Sequence, residues 1–184
     1  MHANAVLATQ SISAGGFSVN SQSRFGWKAG VVGELPLSGN LRLMPQVNLV
    51  SKGGKFAEDG EGLNLKLTYV EVPVLLTYNV SNFFFGAGPS VSFGVGGDVS
   101  ISDGTETIST KVKFDGKEDA DGEFAHLKST DIGLQFIGGV NLPKGFFVNA
   151  HYSLGLTGIT PGDNSEGSMK NRYFGFGIGM FFGK

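Results

Sequence analysis

Apolar side chains that recur every second residue, over runs longer than a soluble strand needs, constrain this chain more than any other feature. Phe146, Val148, Ala150, Tyr152, Leu154 and Leu156 alternate with Phe147, Asn149, His151, Ser153, Gly155 and Thr157. Near the end of the chain Phe174, Phe176, Ile178, Met180 and Phe182 alternate with Tyr173, Gly175, Gly177, Gly179 and Phe181. The same period runs through Leu41, Leu43, Pro45, Val47 and Leu49, and through Ile132, Leu134 and Phe136. Successive strand side chains point to opposite faces, so each run is a β-strand with one strongly apolar face. From Val72 to Gly97 no residue is charged. That run holds Pro73, Pro89, Asn79, Asn82 and several glycines, and its apolar residues are largely Val and Phe. Such a composition is poor helix material and good strand material, so two strands and a turn fit better than one transmembrane helix.

Seven strands are predicted, at about 25–37, 41–52, 62–80, 82–101, 124–142, 145–158 and 171–183. Short turns fall at Ser38-Gly39-Asn40, around Val80-Ser81 and at Pro143-Lys144-Gly145. Long polar loops cover about 53–61, 102–123 and 159–170. Short turns at one end and long loops at the other are the layout of an outer-membrane barrel. Single-chain bacterial barrels have an even strand number, so an eighth strand is required before Phe25. Ala5–Ile12 is assigned to it on weak alternation. The expected fold is an all-β, eight-stranded antiparallel up-and-down transmembrane barrel. Residues 1–20 form an N-terminal segment that carries the weak first strand, and residues 21–184 form the barrel.

Composition narrows the function classes. Charged residues are 16% of the chain, below the roughly 25% of soluble domains. Formal net charge is −2 with no basic stripe, which argues against nucleic-acid binding. Cysteine is absent, which removes disulfides, thiolate catalysis and Cys-ligated zinc. Met1-His2-Ala3-Asn4 lacks the basic and apolar regions of a secretory leader, so a mature exported chain is expected. The acidic stretch Asp115–Glu123 fails as an EF-hand. With Gly122 at loop position six, Asp119 and Asp121 fit positions three and five, but Lys117 and Lys128 occupy positions one and twelve. Gly175-Phe-Gly177-Ile-Gly179 has strand spacing and no following helix, so it is not a phosphate loop. No metal or cofactor is expected.

In a barrel the apolar face meets lipid and the other face lines the lumen. Outward residues then include Trp27, Val31, Leu35, Val70, Val72, Val74, Phe83, Phe85, Val91, Phe93, Phe174, Phe176, Ile178 and Phe182. The second face is mostly Gly, Ser, Asn and Gln. A soluble barrel of the lipocalin type would turn the apolar face inward and carry Lys and Glu outside. Five charges are expected in the lumen: Lys28, Glu34, Arg42, Glu71 and Asp131. Buried charges must be paired, and Arg42 and Lys28 are the expected partners of Glu71.

Tyr69-Val-Glu71-Val-Pro73-Val-Leu-Leu, Gly86-Ala-Gly88-Pro89, Tyr152-Ser-Leu-Gly155-Leu156-Thr157-Gly-Ile and the Gly-alternating aromatic C-terminal strand resemble the "porin family" outer-membrane barrel domain of Bacteroidetes. Gly26-Trp-Lys28-Ala-Gly30 and Leu43-Met-Pro45-Gln-Val-Asn-Leu-Val-Ser51-Lys-Gly53 extend the resemblance to about residues 25–183. It implies an eight-stranded barrel in the outer membrane and no defined activity. The chain departs from the family in its first strand and in ending Phe182-Gly-Lys184. The expected surroundings are outer-membrane lipid and lipopolysaccharide, and a monomer is expected.

One local sequence argues for chemistry. His151-Tyr-Ser153 resembles the His-x-Ser strand of lipid A 3-O-deacylases, in which the His is base to a Ser nucleophile. Glu166 is the candidate third member. Leu154 stands where those enzymes carry Asn, and His151 and Ser153 fall on the inward face, away from lipid. The leading expectation is a non-enzymatic barrel acting through its loops or in membrane integrity. A narrow solute channel, the deacylase and a soluble carrier are the alternatives.

Overall fold

A computed structural model describes residues 1–14, 17–58, 61–102, 106–117, 124–162 and 167–182. Its strands are β1 (His2–Ala14), β2 (Phe17–Asn20), β3 (Arg24–Val32), β4 (Leu35–Ser38), β5 (Leu41–Glu58), β6 (Glu61–Val80), β7 (Phe83–Ser102), β8 (Thr107–Lys113), β9 (Phe124–His126), β10 (Thr130–Asn141), β11 (Phe146–Gly155) and β12 (Ser168–Met180). Eight of them close a ring in the order β1, β3, β5, β6, β7, β10, β11, β12, with β10 pairing β7 and β12 pairing β1. Every pairing in the ring is antiparallel. Closure leaves no free edge among these staves, the condition a β-structure must meet in lipid.

The weakly alternating N-terminal segment is a full stave. β1 pairs with β12 from His2 to Ser13 and with β3 from His2 to Ala8. Its small residues hid it: Ala3 and Ala5 point outward, where Phe176 and Trp27 on the neighbouring strands flank Ala5. The predicted strand at 25–37 is two pieces, β3 and β4, broken at Gly33-Glu34.

Two of the predicted loops need correction. The region 53–61 is strand through Glu58 and again from Glu61. Register carries the β5–β6 ladder upward from Asn48↔Glu71 to Glu58↔Glu61. Gly53 has φ +133°, and a Cβ there would lie 1.9 Å from the Leu65 carbonyl oxygen. Glycine thus lets this ladder continue. The loop at 102–123 contains β8, which pairs with the top of β7 from Asp98↔Lys111 to Ser102↔Thr107. β9 adds to β8 in parallel. The long-loop end therefore bears a sheet of β5, β6, β7, β8 and β9 standing above the ring.

The outer surface is apolar. Leu7, Phe25, Trp27, Val47, Leu49, Leu76, Phe83, Phe85, Phe93, Leu134, Phe136, Phe174, Phe176 and Ile178 are all exposed. From Phe146 to Leu156 this face runs about 33 Å along the strand, or about 25 Å at the usual tilt of roughly 40°. That matches the apolar band of an outer-membrane barrel. A soluble carrier would bury this face, so the exposed belt opposes that alternative. Phe176, opposite Ala150 near the centre of the band, gives a test. Phe176→Arg should lower the unfolding free energy in lipid by about 2–4 kcal/mol, read by urea titration in vesicles. A neutral effect would place this face outside the bilayer.

Candidate functional site

The lumen is layered. Beside the short turns, Met44, Leu75, Phe84, Ile137, Phe147 and Phe181 form a buried apolar cluster. Phe147 stacks 4.7 Å from Phe181 and 6.1 Å from Phe84, centroid to centroid. Toward the long-loop end a second cluster gathers Val50, Leu65, Leu67, Tyr69, Val112, Leu127 and Ile159. Val112, Leu127 and Ile159 come from outside the staves, so this end is covered by the segments that connect them.

Between the two clusters lies a polar layer. Cross-strand register brings Asn48, Glu71, Ser92 and Asp131 into one inward row. Lys28 Nζ donates to Glu71 Oε1 at 2.9 Å. Tyr173 OH donates to the same oxygen at 2.6 Å, and Lys28 also donates to Tyr173 OH at 3.2 Å. Lys52 Nζ bridges the two acids, 3.1 Å from Asp131 Oδ2 and 3.3 Å from Glu71 Oε2. The second contact is an ion pair without hydrogen-bond alignment. Lys52 also donates to Ser92 Oγ at 2.9 Å and sits 4.9 Å above the Tyr69 ring. Asn171 Nδ2 donates to Asp131 at 3.0 Å, and Gln10 Nε2 donates to Asn171 Oδ1 at 3.1 Å. The four charged side chains are each at most 4% exposed. Two ammonium groups face two carboxylates, so the quartet has no net charge. That balance, with neutral donors added, is what makes burial of ions tolerable.

His2 joins the layer from β1. Its Nε2 lies 2.7 Å from Asn48 Oδ1, and Asn4 Nδ2 lies 2.8 Å from His2 Nδ1. One ring nitrogen donates and the other accepts, the pattern of a neutral imidazole.

The structure brings Lys28, Glu71 and Asp131 together. It does not bring Arg42 to Glu71. Arg42 donates to the carbonyls of Gly39 and Leu41 at 2.8 and 3.0 Å, at the short turn. It is six residues along β5 from Asn48, the residue opposite Glu71, or about 20 Å. Glu34 lies in the break between β3 and β4, six residues along the chain from Lys28. Lys52 and Tyr173 are the members that sequence reasoning missed. Lys52 stood at the predicted strand end, next to a presumed loop. Its phase with Gln46, Asn48 and Val50 was the available signal.

His151 and Ser153 point into the lumen and are 3% and 4% exposed. His151 Nδ1 lies 3.2 Å from Asn149 Oδ1. Among the described residues no hydrogen bond joins His151 to Ser153, as a base and its nucleophile require. The His151 ring fills the space that a Cβ on Gly175 would occupy, 2.3 Å away. Glu166 lies outside the described residues, as do residues 118–123 of the acidic stretch Asp115–Glu123.

An apolar belt around a closed, filled ring, with extended strands at one end, defines an integral outer-membrane β-barrel. The chain belongs to the outer membrane protein beta-barrel domain family, which it matches over residues 4–160. It is a small protein of the bacterial outer membrane. A comparison with curated proteins by sequence finds no match. Among solved structures it is similar to Ail, the attachment invasion locus protein of Yersinia pestis, at 11% identity and a TM-score of 0.47, covering 97% of this chain and 96% of that one. Ail has also been solved in complex with the heparin analogue sucrose octasulfate (10% identity, TM-score 0.49, 97% and 96% coverage). Neisserial surface protein A, NspA, is similar at 12% identity and a TM-score of 0.46, covering 96% and 94%.

Proposed function

We propose that the protein is a non-conducting, non-enzymatic barrel that acts through the structured segments above its long-loop end. The observation that carries this reading is the filled lumen, in which a neutral ion quartet lies between two apolar clusters. An ion crossing it would have to part the aromatic stack of Phe84, Phe147 and Phe181 and then break buried pairs. The lumen network then serves to fill and hold the barrel. The motif pattern is that of the Bacteroidetes type, and the protein works as a monomer surrounded by lipopolysaccharide.

Planar-bilayer recording of the refolded protein should show no unitary conductance steps in 1 M salt. Regular steps would favour the channel. The inward burial of His151 and Ser153 argues against the deacylase, because lipid meets the opposite face. Incubation with lipid A should release no 3-O-linked acyl chain, and Ser153→Ala should behave as the wild type. Release that Ser153→Ala abolishes would overturn the non-enzymatic reading.

A further inference from the structure

We propose that a groove on the outer face of the barrel, at its long-loop end, binds the phosphate groups of an outer-leaflet glycolipid. This rests on the membrane seat and orientation described above. The groove encloses about 690 Å³. Lys128, Lys170 and Arg172 line it, with Ile132 and Leu156 as apolar lining and Ser11 among its hydroxyls.

Register explains why three cations meet there. Along the outward face of β12, Phe174 flanks Tyr152 and Leu7, and Leu7 flanks Phe25. Tyr152 in turn is opposite Phe136. These five form an aromatic and apolar row within the lipid belt. Arg172 is the next outward residue above Phe174, opposite Thr9 and Leu154, and Lys170 follows, opposite Ser11. The cations therefore stand about 7 and 13 Å along the strand above this row, with Arg172 level with Leu154 near the upper end of the apolar face of β11. Phosphate groups of lipid headgroups meet a barrel at the upper end of its apolar face.

Two further observations point to an anionic ligand. Arg172 Nε is buried and has no hydrogen-bond partner among the described residues. A buried guanidinium donor normally has one. Among the described residues that line the groove none is a carboxylate. Elsewhere on the outer surface, by contrast, Lys66 and Lys111 each face Asp98 across the strands. Charge-assisted contacts to phosphate favour Arg and Lys in this arrangement, and the apolar lining receives the start of an acyl chain.

Native mass spectrometry of the refolded protein in detergent tests the site. The probes are bisphosphorylated lipid A, the same lipid with its phosphates removed, and inorganic phosphate as competitor. Bisphosphorylated lipid A should bind, and Lys170→Gln/Arg172→Gln should weaken it by at least about tenfold. Lys66→Gln, outside the groove, should leave it unchanged. Equal binding by the double variant, or equal binding of the dephosphorylated lipid, would overturn the proposal. Displacement by inorganic phosphate at the lipid's own concentration would assign the groove to free phosphate instead and overturn the lipid source. Each variant is checked for the mobility difference between boiled and unboiled samples. If the double variant does not fold, Lys128→Gln/Lys170→Gln makes the same test with the two ammonium groups of the groove. A folded variant that keeps full affinity sinks the lipid site and leaves the barrel reading intact.

Discussion

Glu71→Ala is expected to lower the stability of the refolded barrel by about 3–5 kcal/mol. The carboxylate accepts from Lys28 at 2.9 Å and from Tyr173 at 2.6 Å, and pairs with Lys52 at 3.3 Å. Its removal leaves Lys28 buried without a carboxylate and the former quartet with a net positive charge. Tyr173 OH also loses its acceptor. The cost comes mainly from the stranded ammonium, so a variant that removes both charges should recover most of it. Lys28→Met/Glu71→Leu is therefore expected to lie within about 2 kcal/mol of the wild type. Urea unfolding in detergent, followed by the loss of the unboiled gel mobility, measures both. An unchanged midpoint for Glu71→Ala would mean that the lumen hydrates freely and that the quartet carries little of the fold.

Phe147→Ala should cost about 3–5 kcal/mol, whereas Phe146→Ala next to it should cost under about 1.5 kcal/mol. Phe147 is 2% exposed, packed against Phe84 and Phe181. Phe146 is 40% exposed on the outer face near the short turns, where lipid or detergent fills the space left by truncation. Deleting the inward ring leaves a void that closed staves cannot collapse around. The pair is read by the same urea titration. Equal costs would show that the inward cluster is loosely packed. Phe147→Ala should also raise the permeability of the short-turn end before any unfolding, detectable as baseline current noise in the bilayer recording.

The barrel was legible in the sequence because a membrane strand must satisfy two independent constraints on one backbone. Lipid demands apolar side chains outside, and the small lumen demands small or polar ones inside, so period two persists in Phe174–Phe182 and Phe146–Leu156. Glu71 was legible as inward for the same reason, lying between Val70 and Val72. β1 was harder to see, because Ala3 and Ala5 satisfy the outward rule with little side chain while the neighbouring Phe176 and Trp27 cover lipid contact. Where the membrane ends, the outward constraint ends too. Lys55, Lys66 and Lys111 then stand on the outer face of strands that continue, and the polar runs around 53–61 and 107–113 read as loops.

Partner choice inside the lumen was not legible. Phase places Lys28, Arg42, Lys52, Glu71 and Asp131 on inward strands, but height along the barrel decides which of them meet. Height depends on strand stagger, which is set by hydrogen-bond register across the closed ring rather than by any one strand. Arg42 was thus assigned to Glu71 although it sits six residues too low, and Lys52 was passed over although it bridges both acids. The same is true of the outer groove, whose Lys128 comes from the segment before β10 and whose Lys170 and Arg172 come from β12. By itself the sequence determined the faces, the strand number and the membrane seat, since these follow from local alternation and solvent. Only the tertiary structure decided which charges pair, how the lumen is closed and where cations gather, because those depend on stagger between strands far apart in the chain.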